Sequence, residues 1–146
     1  MPHTPVDTEE IIYLHRGILM RKLALLLLVG ACGGDLHSIQ ELMTDDMLYM
    51  VTVEAAPVEP VVGDVLLTIG VKDHNTMEPI TEAALTVEPW MPAHDHGIQG
   101  DPVIQETGDG EYEVSFAFSM SGQWDVTIDV DASQGTDQCV ASFDVQ

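Results

Sequence analysis

From Met47 onward, apolar and polar side chains alternate along the chain, the period-two spacing of strands with one buried face and one wet face. Met47, Tyr49, Val51 and Val53 share a face of a first predicted strand, which Pro57 and Pro60 end. Val65, Leu67, Ile69 and Val71 make a second, closed by the turn-like Asp73-His74-Asn75. Ala83, Leu85 and Val87 give a third, and Val103-Ile104 a short fourth. After the turn signal Gly108-Asp109-Gly110, Tyr112, Val114, Phe116, Phe118 and Met120 alternate against Glu111, Glu113, Ser115 and Ser119. Ser121-Gly122 turns the chain again. Trp124, Val126, Ile128 and Val130 then face one way and Asp125, Thr127 and Asp129 the other. Cys139, Ala141, Phe143 and Val145 close the series. Regular short strands with turn chemistry between them predict an all-β fold, an immunoglobulin-like antiparallel β-sandwich of about seven strands. The Cys…Trp…Cys spacing of antibody domains is missing.

The alternation does not extend upstream. Leu36, Ile39 and Leu42-Met43 stand at helical spacing in an otherwise polar stretch, which reads as one or two helical turns or as a tether. Ahead of it, Leu23–Val29 is an apolar run directly behind Met20-Arg21-Lys22. It is much shorter than the roughly 20 residues that span a bilayer, and it is broken by Gly30, Cys32, Gly33 and Gly34. That is the layout of a secretion signal. Its end, Val29-Gly30-Ala31-Cys32, resembles the bacterial lipobox. The resemblance implies that Cys32 is lipidated and becomes the mature N-terminus, anchoring the chain in the bacterial cell envelope with its domain facing the periplasm or the exterior. Asp7, Glu9 and Glu10 suit no signal n-region, and Met20 reads as the natural start. The expected organisation is therefore residues 1–31 as N-terminal extension and signal, 32–46 as tether, and 47–146 as the folded domain. A lipidated Cys32 leaves Cys139 without a disulfide partner.

Charge narrows the function classes. The 146 residues carry a formal net charge of −21, and from residue 32 onward Lys72 is the only Lys or Arg against 22 carboxylates. Nucleic acid needs a Lys/Arg footprint and is excluded as a partner, as is anchoring by a basic patch on anionic lipid. Cations and basic partners remain. Ser115, Ser119 and Ser121 lack a nucleophile elbow, and no phosphate-cradling loop is present; the chain does not read as an enzyme.

One stretch stands apart: Trp90-Met91-Pro92-Ala93-His94-Asp95-His96-Gly97. Pro and Gly bracket it as a loop or a ragged strand end, where functional side chains are displayed. His94 and His96, two apart, project to the same side of an extended backbone. Met91 adds a thioether, and Met120 stands beside the Ser121-Gly122 turn. Thioether with imidazole suits copper, Met favouring Cu(I) and His accepting either oxidation state; Asp95 is positioned to orient an imidazole. The competing readings are plain. Met120 follows Phe116 and Phe118 in phase and, taken on its own, reads as core filling rather than a ligand, and Trp90 with Met91 reads as a plug at one end of the sandwich. His74 with Met77 is a solvated turn. Asp129-x-Asp131…Asp137 hints at weak calcium binding without the ordered spacing of an EF-hand loop, and Cys139, on the face of Phe143, reads as a buried inert thiol.

Val71-Lys72-Asp73, Ala83-x-Leu85-x-Val87, Trp90-Met91-Pro92-x-His94-x-His96-Gly97, Gly110-x-Tyr112-x-Val114 and Phe118-Ser119-Met120-Ser121-Gly122-x-Trp124-x-Val126 are together similar to the YtkA-like domain family, related to FixH-type proteins. The similarity covers about residues 47–146. It implies a secreted or membrane-attached β-sandwich that handles copper, with Met91, His94, His96 and Met120 as the metal-ligand positions. Cys139 and the extreme acidity are not part of that pattern. The expectation is an envelope-anchored lipoprotein that binds copper for storage or for delivery to an envelope cuproprotein. The alternative is a non-catalytic, immunoglobulin-like interaction or assembly module without a metal.

Overall fold

The computed structural model describes residues 38–146; Cys32 and the signal and extension assigned to residues 1–31 lie outside them. Along the described residues run β1 (Ile39–Met43), β2 (Tyr49–Ala56), β3 (Gly63–Asp73), β4 (Ala84–Met91), β5 (His96–Gly97), β6 (Val103–Gly108), β7 (Glu111–Phe118), β8 (Gly122–Ala132) and β9 (Gly135–Val145). They form two sheets, ordered β1-β2-β3-β7-β6 and β5-β4-β8-β9, with every pairing antiparallel. This is the predicted β-sandwich.

The alternating strands bury the faces that their pattern dictates. Val65, Leu67, Ile69 and Val71 of β3 and Tyr112, Val114, Phe116 and Phe118 of β7 face Trp124, Val126, Ile128 and Val130 of β8 and Cys139, Ala141, Phe143 and Val145 of β9 across one core. Burying each such apolar side chain contributes about 1.5–3 kcal/mol. Phe118 joins the sheets at one end, its ring 5.3 Å from Trp124 and 6.1 Å from Phe143.

Four local expectations change. Residues 39–43, expected within the tether or in a helical turn, are edge strand β1, paired with β2 from Ile39↔Glu54 to Met43↔Met50. Only Gln40 and Leu42 of this strand turn inward, and the Gln40 amide donates to Ser142 O at 3.0 Å. An edge strand with so little to bury does not need an alternating sequence, so its spacing resembled a helix. Met47 is exposed, with φ 59°, in the turn before β2 rather than on its inner face. Ala83 precedes β4, which instead runs on to include Trp90 and Met91. The fourth strand, expected at Val103-Ile104, extends to Gly108 as β6.

The end of the sandwich where β3 and β8 finish is closed by an inward carboxylate and two tyrosine hydroxyls, each of which finds partners. Asp137, 6 % exposed, accepts from the backbone N–H groups of Asp46 (3.1 Å to each oxygen), Leu48 (3.1 Å) and Gln138 (2.9 Å). Burial pushes its carboxyl pKa up, but hydrogen bonds from the Thr44 side chain and these N–H groups outweigh it and hold the group below its ordinary 3.8. Its oxygens are thus engaged, which removes Asp137 from the calcium group that the sequence hinted at. Tyr49 donates to Gly135 O (2.5 Å), and the Tyr112 hydroxyl donates to Ile80 O while accepting from Ala83 N–H, both at 3.0 Å. The two tyrosines therefore pin the β8–β9 hairpin and the β3–β4 crossover. Cys139 is buried, and burial first, then Asp137, Asp45 and Asp129, push its thiol up to about 11. It is the buried thiol expected.

Candidate functional site

At the opposite end β4 stops at Met91, and the reason is local. The carbonyl of Met91 accepts from both His94 N–H (3.2 Å) and Asp95 N–H (3.0 Å), folding Pro92–Asp95 into a tight turn. Asp95 then takes φ 54° and reverses the chain. Two residues, His96 and Gly97, return as β5 against Met91 and Trp90. Gly97 is required by close approach: a Cβ there would stand 3.1 Å from Pro89 O and 3.5 Å from the ring of Trp90, which covers it from outside. The outward Trp90 is 44 % exposed. The Trp-Met-Pro-x-His-x-His-Gly run is therefore a folded turn, and the two imidazoles converge by reversal of the chain rather than by extended-strand spacing. Their ring centroids are 6.1 Å apart.

Directly opposed residues of an antiparallel pair project to the same face. His96 opposes the inward Met91, so its imidazole turns toward the mouth of the core and meets the Trp124 ring edge-on at 5.6 Å. The β7–β8 turn crosses from one sheet to the other at this same mouth, and it carries Met120. The side chain of Met120 is 41 % exposed, so the core-filling reading of its phase does not hold: β7 ends at Phe118, two residues before it. Trp124 Nε1–H donates to Met120 O at 3.0 Å and fixes the turn. Gly122, with φ 126°, lets the chain enter β8 while the Met91 methyl carbon sits 2.7 Å from where a Cβ would be.

The outcome is an unusual contact. His96 Nδ1 lies 2.8 Å from Gly97 O, and Nε2 lies 3.4 Å from Met120 Sδ. A carbonyl only accepts, so Nδ1 carries the ring proton. In the neutral imidazole Nε2 is then a bare lone pair, facing a sulfur that is itself only a weak acceptor. Two lone pairs confront each other with one proton too few. A second proton or a soft cation between them satisfies both.

The structure thus brings His94, His96 and Met120 together at the surface and buries Met91, 2 % exposed, beneath them. Asp95 does not orient either imidazole through any hydrogen bond in the structure; for His96, the carbonyl of Gly97 makes that contact. Among the described residues no three His, Cys, Asp or Glu side chains gather as a ligand cluster, so the thioether distinguishes this spot. His74 lies at the other end, half-buried, its N–H bonded to Leu48 O and its Nδ1 without a partner, and Met77 beyond it is exposed. Sequence reasoning missed Trp124 as part of the site. The signal was its place two residues beyond Gly122, which puts an inward indole at the mouth of the core.

Comparison with known families supports the resemblance seen in the sequence. The family model described as YtkA-like matches residues 48–129, a segment that holds β4, β5, the β7–β8 turn and all the side chains of this site. No curated protein and no solved structure matches the chain.

Proposed function

We propose that this chain, which belongs to the YtkA-like family, is an envelope-anchored lipoprotein that binds copper through His96 and Met120, with His94 as a further donor, for storage or for delivery to an envelope cuproprotein. The observation that carries the reading is His96 Nε2 held 3.4 Å from Met120 Sδ at the open end of the sandwich, with Nδ1 turned to Gly97 O. Both donors are set by backbone contacts, the imidazole by Gly97 O and the thioether by the turn that Trp124 clamps. Imidazole with thioether is a soft donor set that favours Cu(I), and it lacks the carboxylate oxygens that calcium or magnesium require. Met91 supplies the floor in this reading. The net charge of −21 favours the approach of a cation and of a basic partner surface.

Titration of the apo-protein with Cu(I) against a competing chelator tests this. The expected result is one tight ion per chain, abolished by His94→Ala with His96→Ala and severely weakened by Met120→Leu. Weak binding that survives these substitutions would point to scattered carboxylates and leave the metal-free interaction module in its place. For the anchor, Cys32→Ser is expected to release the protein from membranes or to leave its precursor uncleaved. Unchanged fractionation and mature mass would remove that half of the proposal.

A further inference from the structure

Trp124 touches both donors of the site, and by different parts of one indole. Its Nε1–H donates to the carbonyl of Met120 at 3.0 Å, which fixes the backbone from which the thioether hangs. Its ring takes the edge of the His96 imidazole at 5.6 Å and 78°, which fixes the plane in which Nε2 points. The indole is held by packing: it is fully buried, and Phe118 packs against it at 5.3 Å. Core packing alone explains an inward aromatic at this position, but it does not require an N–H. A buried indole N–H without an acceptor is destabilising, and here the acceptor is the carbonyl of the exposed Met120.

We infer that Trp124 is the positioning residue of the His96–Met120 pair, holding the two donors at their separation before any ion arrives. This rests on the copper reading for its consequence and on the apo geometry for its content. The β7–β8 turn and the β4–β5 turn belong to different chain segments, with no backbone hydrogen bond between them among the described residues and the Nε2···Sδ contact joining their side chains. Without the indole, each donor would keep its own backbone but lose its relation to the other. Preorganisation of this kind removes an ordering cost from binding. Loss of it is therefore expected to weaken the metal without removing any ligand.

The test separates positioning from packing by comparing Trp124→Phe with Phe143→Leu. Trp124→Phe keeps an aromatic floor and removes the N–H. Phe143→Leu trims the same aromatic cluster, where Phe143 packs on Phe118 and opposes Trp124 in the β8–β9 register, and leaves the indole N–H in place. In the apo-protein, Trp124→Phe is expected to shift the NMR signals of the Met120 methyl and the His96 ring, and Phe143→Leu to leave them in place. In the loaded protein, Trp124→Phe should lower Cu(I) affinity at least about tenfold, while Phe143→Leu, at equal or greater loss of melting temperature, should not. Unmoved apo signals in Trp124→Phe, or equal shifts in both variants, would overturn the inference. Shifts confined to Trp124→Phe in a protein whose wild type takes up no copper would uphold the positioning role and overturn the copper reading alone.

Discussion

The two ends of the sandwich treat buried and half-buried polar groups in opposite ways. At the Asp137 end the carboxylate and the tyrosine hydroxyls are paired, with His74 Nδ1 the one buried exception among the described residues: one carboxylate takes the N–H groups of Asp46, Leu48 and Gln138, and each tyrosine hydroxyl reaches a backbone carbonyl. At the His96 end two acceptors face each other across 3.4 Å. A folded chain pays to bury polar atoms unless they are paired, so the Asp137 end reads as architecture. The mismatched end is half-open to water and is arranged as though something else completes it. The difference yields a rule for variants: changes at the first end should move stability and spare binding, and changes at the second should do the reverse.

The largest stability effect should come from the aromatic cluster that both readings share. Phe118→Ala is expected to cost about 3–5 kcal/mol, measured by urea unfolding. A smaller loss than that of any surface substitution would show that the mouth of the core is loosely packed. Asp137→Ala should follow at about 3 kcal/mol, since it strands several buried N–H donors, with Cu(I) affinity unchanged. A large loss of affinity in that variant would break the division between the ends.

The contribution of Asp137 also has a pH signature. Its carboxyl is held below 3.8 in the folded chain, so its stabilisation is fully present above the ordinary carboxylate range and fades as pH falls through the lower folded value. Acid also relieves the repulsion of a −21 chain, so the clean readout is the gap between the wild type and Asp137→Asn. That gap should be constant from neutral pH to about 5 and close below the ordinary carboxylate value. A gap that widened in acid would reverse the sign of the argument. Met120→Leu, at an exposed position, should change stability by less than about 0.5 kcal/mol while weakening Cu(I) binding severely. The least perturbing test is chemical: with its thiol at about 11, Cys139 should resist alkylation of the native protein at pH 8 and react only after unfolding.

How much of this was legible in the sequence depended on the face each residue serves. β3, β7, β8 and β9 carry one dry face and one wet face, and the pattern shows it directly. β1 buries only Gln40 and Leu42, and β5 is two residues held by the turn before it, so neither leaves a periodic trace. The His pair could be seen from its spacing. The approach of Met120 could not, because it depends on the β7–β8 turn crossing between sheets at the end where β4 stops. Asp137 was visible in principle: it is in phase with Cys139 and Ala141 on the inward face of β9, where a carboxylate implies bonded N–H donors rather than a solvated ion site.

The pairing of β8 with β9 carries a practical consequence for cutting the chain. The family match stops at residue 129, yet β8 continues to Ala132 and pairs with β9 over its whole length, from Gly122↔Val145 to Ala132↔Gly135. A fragment trimmed to the matched boundary would keep His94, His96 and Met120 but lose Ala141, Phe143 and Val145 from the core, and with them the aromatic support of Phe118. It would also lay bare the edge of β8, an open template for strand addition by another chain. What homology delimits here is a recognisable segment; a fragment that keeps this core must include β9.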